Sequence, residues 1–183
     1  MTTPFTNKII KFEQHTLLMI KLEKFTEEDF DRLINWIKSE DELILFAGTG
    51  FRFPLTKEQL SVHIRSDLSQ IYKVVDSGSK EVIGHCELND INKSSKSARV
   101  CRMLIGDTAN RGKGFGRKTL QKLINVAFNE LSLNNLTLKV YENNASAVKC
   151  YTNCGFEVKG KIHKSMVGPG KYWPAYIMSL SNN

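Results

Sequence analysis

The apolar positions of this chain change period several times, and each change marks an element. TLLMIKLE (16–23) alternates as a first strand. At Thr26 the spacing T-x-x-D opens a capping box, after which Phe30, Leu33, Ile34 and Ile37 recur at helical spacing. FAGTGFRFPL (46–55) breaks that period. Thr56 is placed to cap a second helix over TKEQLSVHIRSDL (56–68), with Leu60, Ile64 and Leu68 on one stripe. IYKVVD (71–76) and EVIGHCELNDI (81–91) read as strands joined across SGSK. ARVCRMLIG (98–106) follows the polar turn NKSSKS and completes an antiparallel meander.

From Gly116 onward, Leu120, Leu123, Ile124, Ala127, Phe128 and Leu131 predict a long amphipathic helix. LTLKVY (136–141) is a short strand. Asn143 or Asn144 opens a further helix that stops at Cys154-Gly155, where glycine takes the left-handed conformation that ends helices. FEVKGKI (156–162) and YWPAYIMSL (172–180) are strands around a loop, HKSMVGPGK (163–171). The order predicts an α/β (α+β) fold: a mixed, mostly antiparallel twisted sheet flanked by helices. A single domain over 1–183 is expected, with 1–15 as an N-terminal extension.

Composition narrows the class. At 183 residues, 41% hydrophobic and 25% charged, the chain is globular in type. No apolar run approaches the ~18 residues of a membrane span. The N-terminal segment is too broken by charge for a signal peptide, so a cytoplasmic protein with no membrane partner is expected. The cysteines at 86, 101, 150 and 154 lack metal-site spacing, so no metal is expected. Cys150 and Cys154 share one helix face, either as a functional pair or as simple packing. The net charge of +7 favours an anionic partner, but the cations are spread along the chain. That argues against nucleic acid and leaves room for a small phosphorylated ligand bound by a local cluster.

NRGKGFGRKTL (110–120) supplies such a cluster. A Walker loop would need one residue fewer between Gly106 and Gly112, and a hydroxyl where Gly114 stands. A dinucleotide fingerprint would need glycine at 117 or 119, which are Arg117 and Thr119. What remains is a strand, a short turn and R-G-K-G-F-G opening a helix, which aims successive backbone N–H groups and a positive dipole end at one point. Glycines at 112, 114 and 116 let oxygens approach those amides, and Arg111, Lys113 and Arg117 can neutralise an anion from the rim. The alternative is an ordinary glycine-containing helix start with solvated cations. The H-x-x-x-D pattern of His63 and Asp67 lies on an amphipathic helix and reads as coincidence.

A second motif follows in VYENNASAVKCYTNCGF (140–156). Together the two segments resemble the GCN5-related N-acetyltransferase (GNAT) family. Its acetyl-CoA loop, Q/R-x-x-G-x-G/A, is matched by Arg111, Gly114 and Gly116. Its later helix, N-x-x-A-x-x-x-Y-x-x-x-G-F, is matched by Asn144, Ala147, Tyr151, Gly155 and Phe156. The element order from TLLMIKLE to the last strand is similar to the family's. The branch it most resembles holds ribosomal-protein N-terminal and polyamine acetyltransferases. In that branch's G-x-Y/W-x-D signature, Pro174 stands where Asp would be, so substrates do not carry over.

The resemblance implies an acyl-CoA N-acyltransferase fold with acetyl-CoA as donor and a primary amine, small or peptidic, as acceptor. Homodimers are common in the family. It implies that ARVCRMLIG and LTLKVY splay apart and that the pantetheine arm pairs with Met103, Leu104 and Ile105. Gly112, Lys113, Gly114, Phe115, Gly116 and Arg117 would hold the diphosphate beside Arg111. Asn144 and Ala147 would border the arm, Asn144 bonding it or merely capping the helix. Tyr151 would protonate the leaving thiolate, or else pack as an aromatic. Leu104 N–H would polarise the thioester carbonyl. The amine would attack directly, and no G-x-S-x-G elbow is present.

For the base, Glu87 is the candidate, against a solvent-facing strand glutamate, and His85, of equal side parity, is its substitute. Phe46, Phe51 and Phe53 either wall an acceptor pocket or anchor their loop, while Trp36 reads as core. Glu27, Glu28, Asp41 and Glu42 are the acidic residues that would have to line the entrance for a polycation. The rival readings are a coenzyme A-binding module without turnover and a nucleic-acid binder driven by charge.

Overall fold

The computed structural model describes residues 20–182, so the extension 1–15 and the first part of the expected opening strand lie outside the described residues. Seven strands form one sheet in the order β1-β2-β3-β4-β5-β7-β6. These are β1 (Ile20–Lys24), β2 (Gln70–Asp76), β3 (Val82–Asn92), β4 (Ser97–Ile105), β5 (Asn135–Tyr141), β6 (Glu157–Gly168) and β7 (Lys171–Ser181). Every pairing is antiparallel except β4 with β5. The mixed, mostly antiparallel sheet expected from the strand pattern is therefore present.

On one face lies α4 (Phe115–Asn125), which continues as a widened π turn over Val126–Glu130. Leu120, Leu123 and Ala127 are fully buried there against Val74, Cys86, Leu88, Val100 and Leu136, as their spacing predicts. The other face carries α1 (Phe30–Trp36), α2 (Glu40–Ala47) and α3 (Lys57–His63), whose core is Phe25, Phe30, Leu33, Leu43, Phe46, Leu55 and Leu60. Last comes α5 (Ala145–Asn153), packed against α4.

Four elements differ from the sequence reading. Helix α1 begins with a 3-10 turn at Glu27–Asp29, where the Asp29 carboxylate accepts from Thr26 N at 3.1 Å. Helix α2 was not expected, because Leu43, Ile44, Leu45 and Phe46 are consecutive and show no period. Its signal was S-x-x-E at Ser39: Ser39 Oγ accepts from Glu42 N at 3.2 Å, and Glu42 turns back to Lys38 N at 2.6 Å. Helix α3 stops at His63, a turn early, leaving Leu68 60% exposed. Strand β6 runs on to Gly168, so the expected nine-residue loop shrinks to a tight turn at Pro169-Gly170. As an edge strand β6 is largely solvated, which removed the alternation that would have revealed it.

Gly106, just after β4, is where two layers meet. A β-carbon there would lie 2.0 Å from Trp36 Cε2, so the indole lies directly against bare backbone. Gly106→Ala is expected to cost about 1–3 kcal/mol through overpacking and to lower Tm by several degrees in a thermal melt. An unchanged Tm would contradict this contact.

Candidate active site

Strands β4 and β5 pair only over Ser97–Arg99 with Asn135–Thr137. Beyond that point β4 stays with β3 and β5 stays with β7, so the two strands part and leave facing backbone edges unladdered. A bulge at the parting point sharpens it. Arg102 has φ 48°, and β4 places two residues, Arg102 and Met103, opposite Cys86. The extra residue turns Arg102 and Leu104 to the α1–α3 side and Met103 and Ile105 to the α4 side.

The gap opens into a cleft of about 560 Å³. Met103, Leu104 and Ile105 form its floor. At one end stand Gly112, Gly114, Gly116 and Arg117, and along one wall Asn144, Ala147 and Tyr151. The structure thus brings together most residues singled out from the sequence.

At the glycine end, Gly112 (φ 75°) and Gly114 (φ 90°) hold left-handed conformations that a side chain resists. A β-carbon on Gly112 would meet nothing, so backbone conformation, rather than crowding within the chain, requires glycine there. Gly114 caps α4, and Lys118 N is the first amide to find a helical carbonyl, Gly114 O at 3.1 Å. The amides of Phe115, Gly116 and Arg117 therefore have no partner within the helix. Arg111 folds back onto the end of β4, donating to Ile105 O at 3.0 Å and Gly106 O at 2.9 Å, and so braces the turn. Two expected contacts sit elsewhere: the Phe115 side chain is core, and Lys113 points to solvent outside the cleft lining. Lys149, two residues before Tyr151 in α5, is a cleft cation that the motif did not flag.

Tyr151 is half-buried, edge-on to Phe156. Burial, with smaller contributions from Cys150 and Cys101, pushes its phenol well above the ordinary range, so it is a proton-bearing donor at neutral pH. Asn144 does cap α5, its Oδ1 accepting from Ala147 N at 3.2 Å and Ser146 Oγ at 3.1 Å. Cys150 also borders the cleft, but burial lifts its thiol to about 11, so it is a thiol rather than a nucleophilic thiolate.

Glu87 occupies a different place from the one expected of a base or of a solvated glutamate. It is buried outside the cleft lining. Its oxygens accept from Arg102 Nη1 at 2.7 Å, His85 Nε2 at 2.8 Å and His63 Nε2 at 3.0 Å. Burial alone would raise its pKa, but the hydrogen bonds from His63 and His85 and the charge of Arg102 overcome that and hold the carboxyl far below its usual range. The aromatic loop closes over this cluster: Phe51 lies edge-on to His63 and under Arg102, while Phe53 is exposed. Trp36 packs against the α1–α3 core, as read from the sequence, and together with Phe46 also lines the cleft.

The family described as the acetyltransferase (GNAT) domain matches residues 20–157. The chain belongs to the GNAT family. It is similar to spermidine N(1)-acetyltransferase of Vibrio cholerae, 30% identical over 120 residues, covering 66% of this chain and 68% of that protein. L-amino acid N-acetyltransferase AaaT of Escherichia coli is 26% identical over 116 residues, 63% of this chain and 69% of that one. The crystal structure of the Vibrio cholerae spermidine N-acetyltransferase with CoA and spermine superposes with a TM-score of 0.75 at 24% identity, covering 88% of this chain and 95% of that one. This last likeness is one of fold. The GNAT family consists of acetyl-CoA-dependent N-acetyltransferases, the enzyme class to which this chain therefore belongs.

Because the folded state holds Glu87 ionised below its ordinary 4.5, the cluster stabilises fully above that value and less as pH falls beneath it toward the folded pKa. Glu87→Gln is expected to cost about 3 kcal/mol at pH 7, since it leaves Arg102 buried without its counter-charge. The gap between the urea midpoints of the two proteins is expected to narrow below about pH 4.5. A gap independent of pH would contradict the ionised cluster.

Proposed function

We propose that this GNAT protein transfers the acetyl group of acetyl-CoA to a primary amine by direct attack within one ternary complex. The observation that carries the reading is a single continuous cleft. It runs from the unpaired amides at the start of α4, along the gap between β4 and β5, to the phenol of Tyr151. That run of donors suits an anionic head followed by an extended polar arm. Bound there, the coenzyme supplies an acyl group already activated as a thioester.

The residues divide the work. Amides of Phe115, Gly116 and Arg117, with the Arg117 and Lys149 cations, hold the diphosphate. The β4 edge at Met103 and Ile105 and the Asn144 amide align the arm; Leu104 N–H, expected as the oxyanion donor, is in bonded register with His85 on the β3 side. Tyr151 gives its proton to the departing sulfur. No residue of the cleft takes the acyl group, in keeping with the un-ionised Cys150.

On the acceptor side, Glu42 is the one carboxylate among the described lining residues. Asp41 is instead paired with Lys171 at 2.6 Å. The relatives named above act, by their names, on amines.

Three measurements check this reading. Thiol release from acetyl-CoA with spermidine, L-amino acids, an aminoglycoside or a peptide with a free N-terminus is expected to exceed the amine-free rate for at least one acceptor. Tight coenzyme binding with no release from any of them would leave a binding module. Tyr151→Phe is expected to lower kcat roughly 100-fold, the usual scale for a lost general acid, with Kd for acetyl-CoA near normal. Equal turnover would remove Tyr151 from the chemistry. Gly114→Asp, which strains a φ of 90° and sets a negative charge at the diphosphate end, is expected to weaken coenzyme affinity by at least roughly tenfold in calorimetry. Unchanged affinity would count against the loop.

A further inference from the structure

The Glu87 cluster contains one atom that packing does not explain. His85 is almost wholly buried, its Nε2 is engaged by Glu87 at 2.8 Å, and its Nδ1 has no partner among the described residues. An unpaired buried ring nitrogen is costly and rare unless water or a ligand reaches it. Its surroundings say from where. The cross-strand neighbour of His85 on β4 is Leu104, which lines the cleft, and the Phe46 ring, which also lines it, lies 5.6 Å from the imidazole. Phe25 closes the other side at 4.7 Å.

We propose that His85 Nδ1 is the proton acceptor of the transfer reaction, reached from the cleft through one water, and that Glu87 is its positioning residue. The inference rests on the acetyltransferase reading and assigns the base that reading lacks. With Glu87 accepting from Nε2, the ring proton stays on Nε2 and the lone pair is left on Nδ1. His63 and Arg102 hold the carboxylate in place, so it fixes the tautomer without taking the proton itself.

The balance is simple. The ammonium loses one proton through water to Nδ1, and the free amine then forms the C–N bond. As the C–S bond breaks, Tyr151 protonates the sulfur, and the second proton leaving nitrogen restores the phenol. His85 then releases its proton to solvent. The charged and titratable groups facing the imidazole side are Glu87 on β3, Arg102 on β4, His63 on α3, and Lys73 on β2 with its partner Asp29 at 3.4 Å.

The test is His85→Gln, whose amide N–H can still donate to Glu87 but whose side chain cannot accept a proton. With an amine that the wild type turns over, kcat at neutral pH is expected to fall roughly 100-fold. The acidic limb of the pH profile is expected to vanish, while acetyl-CoA affinity and Tm stay near wild type. Turnover within about threefold of wild type, with the same acidic limb, would overturn the proposal. A second readout needs neither turnover nor the variant. In the ¹⁵N-histidine spectrum of the whole protein, His85 is expected as the neutral Nε2–H tautomer at pH 8. An imidazolium or the Nδ1–H tautomer there would sink the assignment even if the enzyme acetylates amines. Absence of any acceptor alongside the expected tautomer would instead count against the acetyltransferase reading.

Discussion

Three ladder pairs hold β4 to β5, and then the two strands part. Everything else in the site depends on that separation. Backbone N–H and C=O groups removed from a ladder cost roughly 1–3 kcal/mol each if they find no partner, so a sheet does not open in its middle without support. Here each strand keeps its other neighbour, β3 for β4 and β7 for β5, and the bulge at Arg102 turns the freed edge toward the opening. The result is a slot that an extended chain of amides fills better than a globular ligand would.

The slot is electrically uneven along its length. At one end helix amides and the cations Arg117 and Lys149 gather positive potential. Beside its middle, beneath the α1–α3 layer, Glu87 is buried among Arg102, His63 and His85. Such a buried cluster is a weak source of net stability, because desolvation opposes the pairing. Its geometric effect is to hold the His85 and His63 imidazoles on one carboxylate, with Phe51 packed edge-on to His63. The proposed acid, Tyr151, and the proposed base, His85, thus lie on different elements with opposite protonation needs.

Much of this was legible in the sequence, and the reasons are local. Positive-φ glycines, a helix period behind them and the Asn144–Phe156 spacing are all short-range signals, and the cleft places those residues where the spacing implied. The equal side parity of His85 and Glu87 also held, since it follows from strand alternation alone. What could not be read depends on residues far apart in sequence. Glu87 looked like a free strand carboxylate because its partners, His63 and Arg102, come from 24 and 15 positions away. His63 was set aside for the same reason. Trp36 read as core alone, because nothing local says that Gly106 leaves a flat seat for its indole at the cleft's edge. Helix α2 hid behind an unbroken apolar run, although Ser39 and Glu42 announced it.

The central claim is that main-chain amides on two elements, the free edge of β4 and the first turn of α4, receive one coenzyme together. Amide-resolved hydrogen exchange with and without coenzyme A measures those donors directly. The account requires that saturating coenzyme slow exchange at Met103–Ile105 and at Phe115–Arg117 in the same titration, with one midpoint. Binding that leaves both segments unchanged, or protects only a distant surface, would contradict it.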